Sequence, residues 1–196
     1  MKNLPVKELF IKDIGIDAVS LVEYPAIEED FIYFNRELVE ENFSDNIDEE
    51  KHIISGPILI PDKLIFRNIP DNHYVFFSKE TVSEIAQKYL IEKKNDIVNI
   101  EHKDFVDGIS LIESWVIDDP KMDKSVTLGF SNLTEGTWFG SYKVNNEEVW
   151  KSIKEKQLNG FSIQGMFLRS FYKVENKVES EDDKILNQII ELLKNN

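Results

Sequence analysis

One serine in the last quarter of the chain has the surroundings that a nucleophile needs. Ser162 lies between Gly160 and Gly165, at the start of an apolar run with the pattern of a β-strand. The glycines allow other backbone to come close, and an attacking oxygen must be reachable while N–H groups face the developing oxyanion. A serine on the polar side of an edge strand has the same pattern. The stretch therefore indicates a candidate nucleophile and leaves the structural alternative open.

The chain has three histidines, and one of them stands where a general base would be useful. His102 is two residues after the mainly apolar segment 97–100, at the end of a predicted strand, whereas His52 and His73 lie in polar or turn-like stretches. A serine hydroxyl needs an adjacent base to be nucleophilic at neutral pH, and imidazole is the usual one. A lone histidine at a strand end is more often structural, so the residues alone make Ser162 and His102 a suggestive pair only.

A strand-rich domain must position these two side chains. Many short β segments with two intervening helical patterns predict an α+β fold, a small, mostly antiparallel β-barrel with a few surrounding helices. This domain is predicted to span residues 1–175 and to carry an acidic loop at about 28–51. Residues 176–196 are predicted to form a linker and a C-terminal amphipathic helix, which either docks on the domain or pairs with another chain.

The segment before Ser162 is predicted to be a helix with recognisable ends. Asn145 to Glu148 has the pattern of a capping box, which satisfies free N–H groups at a helix start. Asn159-Gly160 supplies a residue that can adopt the left-handed conformation and end the helix. The expected arrangement is helix, glycine stop and then the strand that begins with the serine.

The composition excludes several classes of protein. A formal net charge of −14 disfavours binding to nucleic acid or to an anionic membrane through the general surface. The chain has no cysteine, which excludes disulfides and thiolate metal sites. No apolar run reaches membrane-spanning length and the N-terminus lacks the pattern of a signal peptide, so a soluble intracellular protein is expected.

A metal hydrolase built on His102, Asp104 and Asp107 is a further alternative, because these ligand types suit a divalent metal. No second histidine lies nearby and Lys103 stands among the three residues, which disfavours this interpretation. We therefore predict no metal and no cofactor.

An ordered set of short motifs resembles the phage prohead (capsid maturation) serine proteases, and in particular the XkdF-like phage serine proteases. The resemblance extends from about Ile14 to Met166 and includes a VSLV-x-x-PA segment at Val19 to Ala26. The other motifs are Ile100-Glu101-His102, Gly108-Ile109, Glu113-Ser114-Trp115, Gly136-Thr137-Trp138, Glu148-Val149-Trp150 and Gly160-Phe161-Ser162-Ile163-Gln164-Gly165.

The resemblance implies a serine endopeptidase with an assemblin-type β-barrel, in which Ser162 is the nucleophile and His102 its base. It also implies that scaffold and major capsid proteins are the substrates, cleaved inside the assembling prohead in the host cytoplasm, with self-cleavage and self-association as further expectations. The alternative is a non-catalytic virion or scaffold-associated protein that keeps the same barrel.

The third member of a triad does not carry over directly from the family pattern. The wider family has an acidic residue directly before a VSLV-like segment, and Ala18 stands at that position here. Asp17 is one residue earlier, which on a regular strand places it on the opposite face. Glu113, on the strand after His102, competes for the role. We predict Asp17 as the residue that orients the imidazole, with Glu113 as the alternative.

Overall fold

The structure is a computed structural model that describes most of the predicted domain. The described residues are 4–10, 16–25, 32–33, 51–67, 71–165 and 167–171. Most of the acidic loop at 28–51 and the whole linker and helix at 176–196 lie outside these residues. The division of the chain at residue 175 therefore stays a prediction.

Twelve strands and three helices occupy the described part of the chain. The strands are β1 (Val6–Phe10), β2 (Ile16–Val22), β3 (Ile32–Tyr33), β4 (Ile53–Leu59), β5 (Ile65–Arg67), β6 (His73–Phe77), β7 (Val98–Ile100), β8 (Asp104–Val106), β9 (Ile109–Val116), β10 (Trp138–Val144), β11 (Gly160–Gly165) and β12 (Leu168–Phe171). The helices are α1 (Lys79–Ile91), α2 (Lys124–Thr127) and α3 (Glu147–Lys154).

The strands form three four-stranded sheets, with the orders β12-β1-β6-β5, β3-β4-β10-β9 and β11-β2-β7-β8. The predicted α+β class is confirmed, but the predicted closed barrel is not found among the described residues. Closure requires every strand to have a neighbour on both sides, whereas each of these sheets ends in strands paired on one side only. Most pairings are antiparallel; the parallel ones described are β1 with β6 and β2 with β7.

One large apolar core joins the sheets and the two longer helices. Its largest buried side chains include Trp138, Trp150, Tyr89, Tyr142 and Phe161. Burial of an apolar side chain of this size stabilises a fold by about 1.5–3 kcal/mol. Because Phe161 directly precedes the candidate nucleophile, its burial holds the start of β11 against the core.

The helix before Ser162 exists, but its ends differ from the prediction. The N-cap is Asn146 rather than Asn145, and its side chain accepts a hydrogen bond of 3.1 Å from the N–H of Val149. The left-handed residue after the helix is Lys156, with φ of 57°, rather than Gly160. Gly160 is already the first residue of β11. A local hydrogen-bonded turn ends the helix, so no glycine is needed there.

The sheet β11-β2-β7-β8 carries the candidate site. Its second strand, β2, pairs antiparallel with β11 and parallel with β7. The register of β11 with β2 is irregular between Gln164 and Gly165. Regular pairing therefore extends from Gly160 to Gln164 and includes the candidate serine.

Candidate active site

Three polar side chains lie side by side across β11, β2 and β7. Ser162 is the cross-strand partner of Ser20, and Ser20 is in turn the partner of Asn99. Directly opposed residues project from the same face of a sheet. Ser20 and Asn99 are fully buried, whereas Ser162 is half-buried at the edge of the row. The register thus arranges two hydroxyls and one amide in a line that ends at the surface.

His102 reaches this row from a tight turn between β7 and β8. The N–H of Lys103 donates to the carbonyl of Ile100 at 2.9 Å, and the two central residues, Glu101 and His102, have φ of 52° and 58°. Two successive left-handed residues are the pattern of a type I′ turn, which usually takes Asn-Gly. Left-handed backbone costs roughly 1–2 kcal/mol for each side-chain-bearing residue. The imidazole is therefore presented by a strained backbone.

Contacts to β2 and the residue after it hold the strained turn in place. The N–H of Glu101 donates to the carbonyl of Leu21 at 3.1 Å. The carboxylate of Glu101 accepts from the N–H of Glu23 at 2.6 Å. The backbone and the side chain of the same turn residue are therefore both fastened to neighbouring chain, which offsets part of the conformational cost.

The imidazole of His102 bridges the two serines. Its Nε2 lies 3.1 Å from Oγ of Ser162, and its Nδ1 lies 2.8 Å from Oγ of Ser20. Both distances are within hydrogen-bond reach. One ring nitrogen can accept the proton of Ser162 while the other donates to Ser20, which is the arrangement that a general base requires. The geometry therefore permits activation of the Ser162 hydroxyl.

The environment of His102 favours the neutral ring. Burial lowers the pKa of His102 from its usual value of 6.5, the charge of Glu101 raises this pKa, and the charge of Arg67 lowers it further. The net direction is downward. A neutral imidazole can accept a proton, so the shift keeps the ring competent as a base into mildly acidic solution.

A cavity of about 600 Å³ opens beside the two side chains. Ser162 and His102 both contribute to its lining, together with the exposed Arg67 of β5. Most of the remaining lining residues are apolar, among them Leu9, Ile58, Val75, Phe77, Phe161 and Phe167. The candidate nucleophile thus faces a space large enough for part of a ligand.

Neither acidic residue predicted for the third position lies at Nδ1. Asp17 is 54% exposed and its carboxylate is 3.9 Å from the ammonium of Lys94. The register between β2 and β11 is irregular at Asp17, which falls between the paired residues Ile16 and Ala18. This irregularity does not bring the carboxylate to the ring, because Oγ of Ser20 is the group bonded to Nδ1. Glu113 belongs to another sheet, where it accepts from Lys124 and Ser141. The structure therefore brings neither Asp17 nor its competitor Glu113 to Nδ1, where Ser20 lies instead.

The sequence contained a signal for Ser20 that was missed. Ser20 stands two residues after Ala18 in an otherwise apolar stretch of β2, so the two share a face of the strand. Ala18 is the position where the resembled family has its acidic residue. A hydroxyl two residues further along the same face was the polar group to consider once the acidic residue was absent.

Neither metal binding nor membrane insertion is indicated within the part of the chain that the structure describes. No group of three or more His, Asp or Glu side chains is found there that could hold a metal ion. No helix among the described residues has the length and hydrophobicity needed to span a bilayer.

The chain matches a protein-family model over much of its length. The family model described as "putative phage serine protease XkdF" matches residues 41–169, about two thirds of the chain. His102 and Ser162 lie inside the matched segment, whereas Ser20 lies outside it. No curated protein and no solved structure matches the chain.

Proposed function

Because the chain belongs to the phage serine protease family of the XkdF type, we propose that it is a serine endopeptidase of capsid maturation. Its substrates in this proposal are the scaffold protein and the pro-segment of the major capsid protein, and it also cleaves itself. Cleavage takes place inside the assembling prohead, in the host cytoplasm. Self-association of the protease is part of the same proposal, and neither a metal nor a cofactor is required.

The observation that carries the proposal is the distance of 3.1 Å between Nε2 of His102 and Oγ of Ser162. These residues are 60 positions apart in the chain and come from different elements. The sequence around Ser162 indicates a nucleophile, and the sequence around His102 indicates a base. Their convergence at hydrogen-bond distance beside an open cavity supports acyl transfer through a serine.

The chemistry follows from the protonation state of the ring. Neutral His102 takes the proton from Ser162 as Oγ attacks the carbonyl carbon of the scissile peptide bond. The imidazolium then gives this proton to the departing amine, and the C–N bond breaks to leave an acyl group on Ser162. Water, deprotonated by the same ring, hydrolyses the ester and restores the hydroxyl. Ser162 is the nucleophile and His102 is successively base and acid.

The non-catalytic alternative, a virion protein that keeps the fold, requires no particular geometry at Ser162. Such a protein has no need for an imidazole at hydrogen-bond distance from a half-buried serine, nor for a strained turn that presents the ring. The downward pKa shift of His102 also suits a base that works near neutral pH. These three features favour the catalytic proposal.

Co-expression with the scaffold and capsid proteins of the same phage tests the proposal. The wild-type chain should release defined fragments, which mass spectrometry identifies, and Ser162→Ala should release none. Ser141→Ala is the matched control, because Ser141 is a buried strand serine of another sheet and does not contact His102. Equal fragment patterns from wild type and Ser162→Ala would refute the proposal.

A fluorophosphonate probe provides a test that needs no natural substrate. The probe should label Ser162 in the wild-type chain and in Ser141→Ala, and it should label neither Ser162→Ala nor His102→Gln. Labelling that persists in Ser162→Ala would assign the reactive hydroxyl to another residue.

A further inference from the structure

The side chain that faces Nδ1 of His102 is a hydroxyl rather than a carboxylate. Ser20 Oγ lies 2.8 Å from Nδ1, and Ser20 has no exposed surface. A hydroxyl can either donate to a ring nitrogen or accept from it. If it donates, the ring proton must sit on Nε2, and the ring then cannot accept from Ser162. The direction of this one hydrogen bond decides whether His102 can act as a base.

Asn99, the next residue in the row, bears on the direction of the hydrogen bond between Ser20 and His102. Asn99 is fully buried and faces Ser20 across β2 and β7. Its amide N–H donates to Gln164 Oε1 at 2.6 Å, while its Oδ1 is buried without a hydrogen-bond partner among the described residues. Oδ1 therefore makes no hydrogen bond to Ser20 in the structure. A buried acceptor without a donor is costly, so the hydroxyl of its cross-strand neighbour Ser20 would lower the energy by donating to it.

We propose that Ser20 is a positioning residue for His102 and that Asn99 sets the direction of the Ser20 hydroxyl. A small rotation of the Asn99 or Ser20 side chain would bring Oδ1 within reach of the Ser20 hydroxyl, which would then donate to Oδ1 while it accepts from Nδ1–H of His102. The ring proton is thereby kept on Nδ1, and Nε2 is left free to accept from Ser162. A hydroxyl and an amide thus perform the orienting role that a carboxylate performs in Ser-His-Asp triads.

The tautomer of His102 can be measured without any cleavage. In the wild-type chain with ¹⁵N-labelled histidine, NMR at a pH above the titration of the ring should show the proton on Nδ1. His102→Gln identifies the signal. Ser20→Ala should shift the ring towards the Nε2–H form, and Asn99→Leu should shift it in the same direction. Ser55→Ala is the matched control, since Ser55 is an equally buried strand serine that bonds to Ser141 instead.

Kinetics give the second readout. The Ser20→Ala substitution should lower kcat by about 10- to 100-fold, the usual effect of losing a hydrogen bond to a group that becomes charged, with little change in KM. Ser55→Ala should leave kcat unchanged, and Ser20→Thr, which keeps the hydroxyl, should restore part of the rate.

A wild-type ring protonated on Nε2, or a tautomer that is identical in wild type and folded Ser20→Ala, would overturn the proposal. It rests on the proposed function only for its kinetic readout. A chain that cleaves nothing but shows the tautomer shift would therefore refute the protease and keep the positioning role.

A second inference concerns the cavity, whose lining combines polar groups near Ser162 with apolar side chains of the core. Ser162 and His102 form part of its lining, and much of its floor consists of core side chains of β1, β4 and β6: Leu9, Ile58, Val75 and Phe77. We infer that the cavity binds an apolar side chain of the substrate next to the scissile bond. A peptide whose carbonyl meets Ser162 necessarily has its neighbouring side chains within a few ångströms of this space.

This inference deepens the proposed function and has a test by substitution. Val75→Phe should fill part of the cavity and lower kcat/KM at least tenfold for a peptide with Leu or Phe beside the cleaved bond. The same variant should cleave the matched Ala peptide within about threefold of the wild-type rate. Val149→Phe is the overpacking control, because Val149 is buried in the core but does not line the cavity.

Binding separates this inference from the proposed function. The Leu peptide should bind to Ser162→Ala more tightly than a peptide that has Asp in place of this Leu. Addition of Val75→Phe to the Ser162→Ala variant should remove the difference in affinity. Equal binding of the two peptides, or an equal loss of rate on the Leu and Ala peptides in Val75→Phe, would overturn the inference whether or not the wild-type chain proves to be a protease.

Discussion

Two hydrogen-bonded networks of polar side chains lie in the sheets of this molecule, and only one of them is arranged for chemistry. In the sheet of β11 and β2, Ser162, His102 and Ser20 are linked through hydrogen bonds of 3.1 and 2.8 Å. In the sheet of β4 and β10, Ser55 donates to Ser141 at 2.7 Å, and Ser141 donates to Glu113 at 2.9 Å. Each network places a serine next to a group that can accept its proton.

The two networks differ in the basicity of the group that accepts the proton and in how accessible the serine is. Lys124 donates to both oxygens of Glu113, at 2.7 and 2.6 Å, and together with Ser141 it lowers the pKa of Glu113 below its usual value. A carboxylate stabilised in this way is a poor base at neutral pH. Ser55 and Ser141 are also buried, whereas Ser162 opens into the cavity. A serine beside an acceptor is therefore insufficient; a competent base and an open approach are both required.

Substitution of the proton acceptor should give the largest difference in kcat/KM between the two networks. We expect His102→Gln to lower kcat/KM by roughly a thousandfold or more, since it removes the base, and Glu113→Gln to change it less than threefold. Cleavage assays on both folded variants check this prediction. Comparable losses would mean that the network around Glu113 takes part in the reaction.

The pH dependence should identify the ring as the group that titrates. Because the pKa of His102 is lowered from 6.5, the neutral base persists as the pH falls, and kcat/KM should decline with a midpoint below 6.5. Arg67→Gln removes a positive charge that lowers this pKa, so its midpoint should move upward. A midpoint above 6.5 in the wild-type chain, or an unchanged midpoint in Arg67→Gln, would contradict this account.

The buried hydroxyl of Ser141, in the second network, should contribute to stability and not to the rate of cleavage. Ser141→Ala removes the partner of the buried Ser55 hydroxyl and should lower the free energy of unfolding by about 1–3 kcal/mol. The rate of cleavage by the folded protein should stay within twofold of wild type. Urea denaturation and an assay at low temperature measure the two effects separately. A large fall in rate without loss of stability would reverse the roles assigned here.

Asp17 should have the smallest effect of all. Its carboxylate is largely exposed and 3.9 Å from Lys94, an arrangement that contributes little in water. Asp17→Asn should therefore leave kcat/KM within twofold of wild type, while Ser20→Ala lowers it. A larger loss in Asp17→Asn than in Ser20→Ala would restore the acidic residue to the orienting position.

Local pattern was enough to find the nucleophile candidate, the base candidate and the helix before Ser162. Ser162 stood out because glycines flank it, and His102 because it follows a predicted strand. Ser20 and the sheet boundaries depend on which strands pair, and pairing is decided by contacts between distant segments. The parallel alignment of β2 with β7 had no local signal, and without it neither Asn99 nor His102 could be placed beside Ser20.

The order of the strands in the chain has a kinetic consequence. Ser20 and His102 are 82 residues apart, and the central strand β2 is made long before β7 and β11, with which it pairs. Contacts of such separation form late, because the intervening loop must first be closed. A chain emerging from the ribosome therefore holds the hydroxyl that faces Nδ1 without a ring to bind until 82 further residues have been made. The proposed nucleophile follows another 60 residues later, so the site can be completed only after residue 162 has been released.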